Sequence, residues 1–329
     1  MSGTPPPDPW AMPGWQEAVE GWIDQELDTL DYSISGPIEQ VHMRHWSAVL
    51  VIPTNDGNLY FKASEPNTAH EPALTQALAG WRPDCVLGPL AIENERGWML
   101  MTDAGIRLRE IVIGPDDLWH WDALLSLFAD VQMDVAEHTD EMLTIGAFDR
   151  RLATLPTQYE RLLADTEALR LDLPQGVTTS ELERLHGSVP QITEMCERLA
   201  AYGLPETLHN MDLHDGNVFV SEGRYLFFDW GDASVAHPFF SGVAPLWSIE
   251  DRFDLTLSGP ELLHLRDVYL EPWKSYGSHA DLVAAFELAG QLALISGALG
   301  WQTLVSQYPE EFPNFVSEWL QVLLGSMSV

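Results

Sequence analysis

No stretch limits the architecture of this chain more sharply than residues 209 to 232, HNMDLHDGNVFVSEGRYLFFDWGD. VFVS and YLFFD are rich in β-branched and aromatic residues and flank the turn EGR. They read as a β-hairpin set inside an otherwise helical half. A hairpin brings the chain back to where it left, so the residues before its first strand come beside those after its second. Before it stand a carboxylate, Asp212, and five residues later an amide, Asn217; after it comes a second carboxylate, Asp229, in Asp-Trp-Gly. Phosphoryl transfer needs these groups: one carboxylate to take a hydroxyl proton, and an amide oxygen with another carboxylate to hold Mg2+ against nucleotide phosphates. Gly231 leaves the backbone free to turn after the second carboxylate.

The rest of the chain supports a two-part plan. Trp15, Val19, Trp22, Ile23 and Leu27 recur at helical spacing and predict a helix over 14–30. EQVHMRHWSAVLVIPT reads as strand, Asp56-Gly57 supplies hairpin chemistry, and LYFKA returns as strand. A short helix over 70–79 comes next, then VLGPLAIE and GWMLMT as strands joined by a polar turn at 94–97. Beyond Leu108 the pattern is mainly helical, with helices expected at 116–138, 155–169, 180–202, 260–270, 279–301 and 312–324. The expected organisation is α+β and bilobal: a disordered Pro-rich tail at 1–14, a small β-rich nucleotide-binding lobe at 15–104 and a larger, mainly helical catalytic and substrate lobe at 105–329. A short joint lies near Thr102 to Gly105.

The Asp-Leu-His-Asp-Gly-Asn string followed by Asp-Trp-Gly-Asp resembles the catalytic and metal motifs of the aminoglycoside phosphotransferase and choline kinase-like family, relatives of the protein kinases that phosphorylate small molecules. The resemblance covers roughly residues 40 to 240. It implies a protein-kinase-like fold, with Asp212 as catalytic base and Asn217 and Asp229 as metal ligands. The chain has only two lysines, Lys62 and Lys274, and Lys62 ends the third expected strand in YFKA. The family's lysine–glutamate pair maps onto Lys62 and Glu71, which opens the helix nine residues on. WMLMTDAG resembles the strand and linker that lie against the adenine, where backbone groups of Met101, Thr102 and Asp103 would read the base edge; a plain strand ending in an Asx turn is the competing reading. Two departures stand out. Asn210 occupies the place of a histidine two residues before the catalytic aspartate, with His209 one residue earlier. HMRHWSAV has no glycine between the first two strands, and Ser47 with neighbouring backbone N–H groups would serve the phosphates instead.

The charge balance bears on partners. Fifty acidic residues against 16 Lys and Arg leave −34, a field that repels nucleic acid and anionic lipid and favours cationic ligands. The expected partner is therefore a small-molecule acceptor, amine-bearing in the manner of an aminoglycoside, amino sugar or amino alcohol, with ATP or GTP as co-substrate and Mg2+ as cofactor. Two distant cysteines, Cys85 and Cys196, and an N-terminus without a basic start or apolar run fit a cytoplasmic enzyme. The apolar stretch near 284–301 is interrupted by Glu287 and Gln291 and reads as a buried helix. Two other readings remain: a catalytically degenerate kinase fold that only binds nucleotide, and a zinc hydrolase using His209, Asp212, His214 and Asp215.

Overall fold

The computed structural model describes residues 9–327. Of the expected tail, residues 1–8 lie outside the described chain. A single 3-10 turn stands at Pro9–Ala11, and Trp10 is buried and donates its indole N–H to the Arg44 carbonyl at 2.6 Å. Helix α1 (Trp15–Leu30) repeats Val19, Ile23 and Leu27 at four-residue intervals, and these are its buried residues. Asp31, in the left-handed region at φ 61°, ends it.

Strands β1 (Glu39–Arg44), β2 (Ser47–Thr54) and β3 (Gly57–Ser64) run antiparallel. The stretch expected as strand is divided by the two-residue turn His45-Trp46. Helix α2 (Glu71–Trp81) leads to β4 (Ala91–Glu93) and β5 (Trp98–Thr102), completing a five-stranded sheet in the order β1-β2-β3-β5-β4. The expected turn at 94–97 joins β4 and β5, whereas VLGPL before β4 is not strand, its Pro89 lacking the N–H a ladder needs. Alternation sorts the sheet. Ala48, Ile52, Leu59, Phe61, Ala63, Trp98 and Leu100 bury one face against Val19, Ile23 and Leu27 of α1. Val49, Lys62 and Met99, paired in register, lie on the other face.

Short strand β6 (Ile106–Arg107) and helix α3 (Leu108–Ile111) precede α4 (Trp119–Val135) and α5 (Thr139–Ile145). Then come β7 (Phe148–Asp149), α6 (Leu155–Ala164), α7 (Thr179–Ala200), β8 (Thr207–His209), β9 (Val218–Ser221), β10 (Arg224–Phe227) and β11 (Ser234–Ala236). Helices α8 (Val243–Phe253), α9 (Pro260–Leu270), α10 (His279–Gln307) and α11 (Phe315–Ser326) complete the chain. Helix α6 stops earlier than its pattern implies. The residues after it turn back through left-handed conformations at Arg170, Asp172 and Gln175. Helix α8 was not anticipated, because the glycine and two prolines around its start read as turn.

The chain divides into two compact units. One holds the N-terminal part up to Ile111, Thr144–Ala147 and Asp215–Asp232; the other holds Val112–Leu143, Phe148–His214 and Ala233–Val329. The hairpin of β9 and β10 thus belongs with the five-stranded sheet, and β6 pairs with β9 as its third strand. In the helical unit, β7, β11 and β8 form a small sheet. Gln132 of α4, fully buried, donates to the carbonyls of Leu208 and Pro238 and accepts from Tyr269 Oη at 2.6 Å. Helix α10 is long and apolar enough to cross a membrane, yet 61% of its most apolar window is buried inside the protein.

Candidate active site

Lys62 is the centre of the β-rich unit's polar chemistry. Its ammonium donates to Glu71 Oε1 at 2.6 Å and to Asp229 Oδ1 at 2.7 Å. Glu71 opens α2 with its carboxylate buried, accepts from Ser64 Oγ at 2.5 Å and takes the backbone N–H of Trp230 at 3.2 Å. Burial acts to lower the Lys62 pKa, but the adjoining charges of Asp229 and Glu71 outweigh it and hold the pKa above its ordinary value. The lysine is therefore a fixed cation. Of its two partners, Glu71 is shut in at 2% side-chain exposure and Asp229 is open at 44%, so Asp229 can meet a ligand as well.

Hairpin register explains how Asp229 comes to be there. Val218 pairs with Phe227, and the next step is the bond from Phe228 N–H to the Asn217 carbonyl at 2.9 Å. Asn217 and Asp229 thus flank the open end of the hairpin. Asp229 takes φ 63°, a left-handed conformation that costs a non-glycine residue about 1 kcal/mol or more. The contacts of Lys62 with its carboxylate and of Glu71 with the next N–H hold it so. The amide of Asn217 and the carboxylate of Asp229 are hard oxygen donors. Such a pair would suit Mg2+, a hard cation that takes oxygen ligands. Among the described residues no three His, Cys, Asp or Glu side chains cluster as a metal cage.

Asp212 belongs to the helical unit, in the loop after β8. Its backbone N–H is held by Asn210 Oδ1 at 2.8 Å, and His214 Nε2 lies 3.4 Å from its carboxylate. Asn210 is buried, and its own N–H donates to Ser241 Oγ at 3.2 Å; the same hydroxyl meets His209 Nδ1 at 2.9 Å. The displaced histidine is therefore packed as scaffold, and Asn210 shapes the loop through an Asx turn. Burial, reinforced by the charge of Arg150, pushes the His209 pKa down to about 3. His209 is a neutral structural residue.

Met101 is buried, and Thr102 ends β5. The Leu100 carbonyl accepts from Leu90 on the β4 side, so alternation turns Met101's backbone towards Tyr60 of β3 and Thr102's to the β4 side, past the last β4 pair. Asp103 closes an Asx turn by accepting the Gly105 N–H at 2.8 Å. Ser47 is buried at the start of β2, opposite Ser64 in register. Sequence reasoning missed Ser64, although its place two residues after Lys62 on a strand puts it on the same face. It also missed the structural part of Asp215, buried and gripped by Arg109 through Nε at 3.3 Å and Nη2 at 3.1 Å. No local signal links residues 106 apart.

No protein-family model and no curated protein gives a significant match to the sequence. Solved structures do match over nearly the whole chain. An ethanolamine kinase of Plasmodium vivax superposes with a TM-score of 0.64 at 12% identity, covering 95% of this chain and 89% of that one. A choline/ethanolamine kinase family protein of Mesorhizobium loti gives 0.59 at 15% identity, covering 90% of each chain. A putative aminoglycoside phosphotransferase of Ralstonia eutropha gives 0.55 at 14%, covering 94% of this chain and 98% of that one. At such identities the likeness is one of fold. The chain has the protein-kinase-like fold of these choline/ethanolamine kinase and aminoglycoside phosphotransferase structures, the family its motifs resemble.

Proposed function

We propose that the protein transfers the γ-phosphoryl group of ATP or GTP to a hydroxyl of a small molecule. The observation that carries this reading is the Lys62 ammonium held between Glu71 and Asp229 at 2.6 and 2.7 Å. A buried lysine pinned in this way cannot swing, so it presents one fixed positive charge to phosphate oxygens and pays no reorganisation when the nucleotide arrives. Asn217 and Asp229 would hold Mg2+, which when bound supplies charge neutralisation to the phosphates. Thr102, with Met101 and Asp103 beside it, would meet the base edge, and Ser47 would line the phosphate end of the Lys62 face. Asp212, five residues before Asn217 in the chain, would orient the acceptor hydroxyl and take its proton as the bond to phosphorus forms.

Several observations weigh against the zinc reading. His209 Nδ1 is engaged with Ser241, Asp215 is engaged with Arg109, and the four residues form no metal cluster. Charge supports the acceptor class, since a net −34 draws cations, and several structural neighbours are named for ethanolamine or choline, both alcohols with a cationic nitrogen. An amine-bearing alcohol in a cytoplasmic setting is the reading that fits.

A thermal-shift titration with ATP and GTP, with and without Mg2+, tests the nucleotide half. At a hundredfold excess over Kd, a bound nucleotide stabilises by about 2.7 kcal/mol. A magnesium-dependent shift in the wild type, lost in Asp229→Ala, is expected; no shift with either nucleotide would overturn the reading. For the transfer half, Asp212→Asn is expected to abolish phosphorylation of an amine-bearing acceptor and keep nucleotide affinity. Wild-type turnover in that variant would remove Asp212 from the mechanism, and nucleotide binding without turnover on any acceptor would favour the binding-only reading.

A further inference from the structure

The β1–β2 connection is where a glycine-rich turn would offer backbone N–H groups to phosphate. Here it is the turn His45-Trp46, without glycine and fastened on two sides. The Arg44 carbonyl accepts the Trp10 indole N–H at 2.6 Å, and the Trp46 carbonyl accepts the Glu65 N–H at 3.0 Å. A turn tied down in this way cannot fold over a ligand. Side chains stand on the adjoining face instead. His42 of β1 lies opposite Val49, and Val49 lies opposite Lys62, so the pleat puts His42 and Lys62 in one row on one face. Two residues on, Arg44 lies opposite Ser47, and Ser47 opposite Ser64.

Electrostatics place further charges near the same ring. The His42 imidazole is held below its usual pKa by burial first and then by the charges of Arg44, Lys62 and Arg107, with Asp229 acting the other way. Arg107 of β6 lies opposite Phe219 of β9, two residues along the hairpin from Asn217, with its guanidinium 5.5 Å from the centre of the Phe219 ring, and its charge is also felt by Tyr60 of β3. The local sum explains what such groups would add. Lys62 faces two carboxylates, which leaves that cluster with an excess negative charge. A triphosphate carrying several more negative charges would be held better by donors in addition to Lys62 and the Mg2+ that Asn217 and Asp229 would hold. Arg44 and Arg107 add two positive charges near this row in a chain with 16 Lys and Arg against 50 acidic residues, and His42 adds a ring nitrogen to it.

We propose that His42 and Arg107 bind the triphosphate directly, doing with side-chain donors on the Lys62 face what a glycine-rich turn does with backbone N–H groups. This rests on the kinase reading above and assigns its phosphate site to β1 and β6 rather than to the β1–β2 turn. One charge-assisted hydrogen bond is worth about tenfold in affinity.

Isothermal titration with Mg-ATP and with adenosine, on wild type, His42→Ala, His42→Gln, Arg107→Met and Asp229→Ala, tests it. Expected is a loss of about tenfold in ATP affinity for His42→Ala and for Arg107→Met, with adenosine affinity unchanged and part of the loss recovered in His42→Gln. Arg107 is exposed, so its variant carries the test if the strand substitution unfolds the sheet. Equal losses for ATP and adenosine would overturn the proposal, since the residues would then act only by holding the sheet. ATP binding that needs Asp229 but ignores His42 and Arg107 would overturn it and leave the kinase reading standing. No nucleotide binding by the wild type would overturn both.

Discussion

The side-chain amide of Asn210 accepts the backbone N–H of Asp212 at 2.8 Å. This Asx turn fixes where the proposed base points, with Asn210 at the place where the motif it resembles has a histidine. Ser241 backs the turn from the other side through the Asn210 N–H. Asn210→Ala removes the acceptor and lets the loop relax. A misplacement of this kind costs up to about a hundredfold in turnover. The expected signature is a fall in kcat with little change in nucleotide KM, and partial recovery in Asn210→Ser, whose hydroxyl can close a weaker turn. A rise in KM with kcat preserved would count against this role.

Glu71 has three donors on one buried carboxylate: Lys62 Nζ, Ser64 Oγ and Trp230 N–H. Glu71→Ala would leave a buried ammonium with one partner and strip two other donors of their acceptor, a loss of about 3 kcal/mol or more. Glu71→Gln keeps the shape and a single acceptor oxygen, so it should lose less stability while still lowering kcat/KM. Urea unfolding of the two variants, followed by steady-state kinetics, separates the structural part from the catalytic one.

Much of this arrangement was legible in the sequence because it depends on local chemistry. A turn flanked by two apolar runs is a hairpin wherever it sits, and the hairpin alone carries Asn217 to Asp229. The scarcity of lysine made Lys62 conspicuous, and helical spacing located α1 and α9. The rest depends on groups distant in sequence. Nothing near Gln132 announces that Tyr269, Leu208 and Pro238 will converge on it, and nothing near Asp215 announces Arg109. Proline and glycine around residue 243 look like loop until tertiary packing makes them the first turn of α8. The turn between the first two strands could be placed only within HMRHWSAV and not at His45-Trp46, because aromatic and imidazole side chains carry no turn signal of their own.

Gly105 follows the Asx turn of Asp103 at φ 92°, and a Cβ there would come within 2.4 Å of the Val220 carbonyl on β9. Backbone cannot yield as a flexible side chain can. Gly105→Ala should therefore part β6 from β9 and cost about 2 kcal/mol. Chemical denaturation reports the loss, and hydrogen exchange should show it concentrated in Ile106, Arg107 and their β9 partners.

Two buried histidines contribute to the acid response of the helical unit. His209 and His237 are almost fully enclosed, and burial pushes each pKa down to about 3, helped at His209 by Arg150. Both stay neutral in the folded protein, whereas in the unfolded chain each titrates near its ordinary value of 6.5. The folded pKa is the lower one, so the unfolded state binds more protons and stability falls as pH drops below that value, until the folded pKa is reached. Between pH 7 and 5.5 each histidine should remove about 1 kcal/mol. His237 Nδ1 also caps the turn after β11 by accepting the Phe239 N–H at 3.3 Å. His237→Asn keeps an acceptor suited to that place without the titration. Unfolding by urea at pH 7 and 5.5 should show a smaller loss on acidification in this variant than in the wild type, by about 1 kcal/mol. An identical loss in both would mean that His237 is protonated as readily in the folded protein as in the unfolded chain.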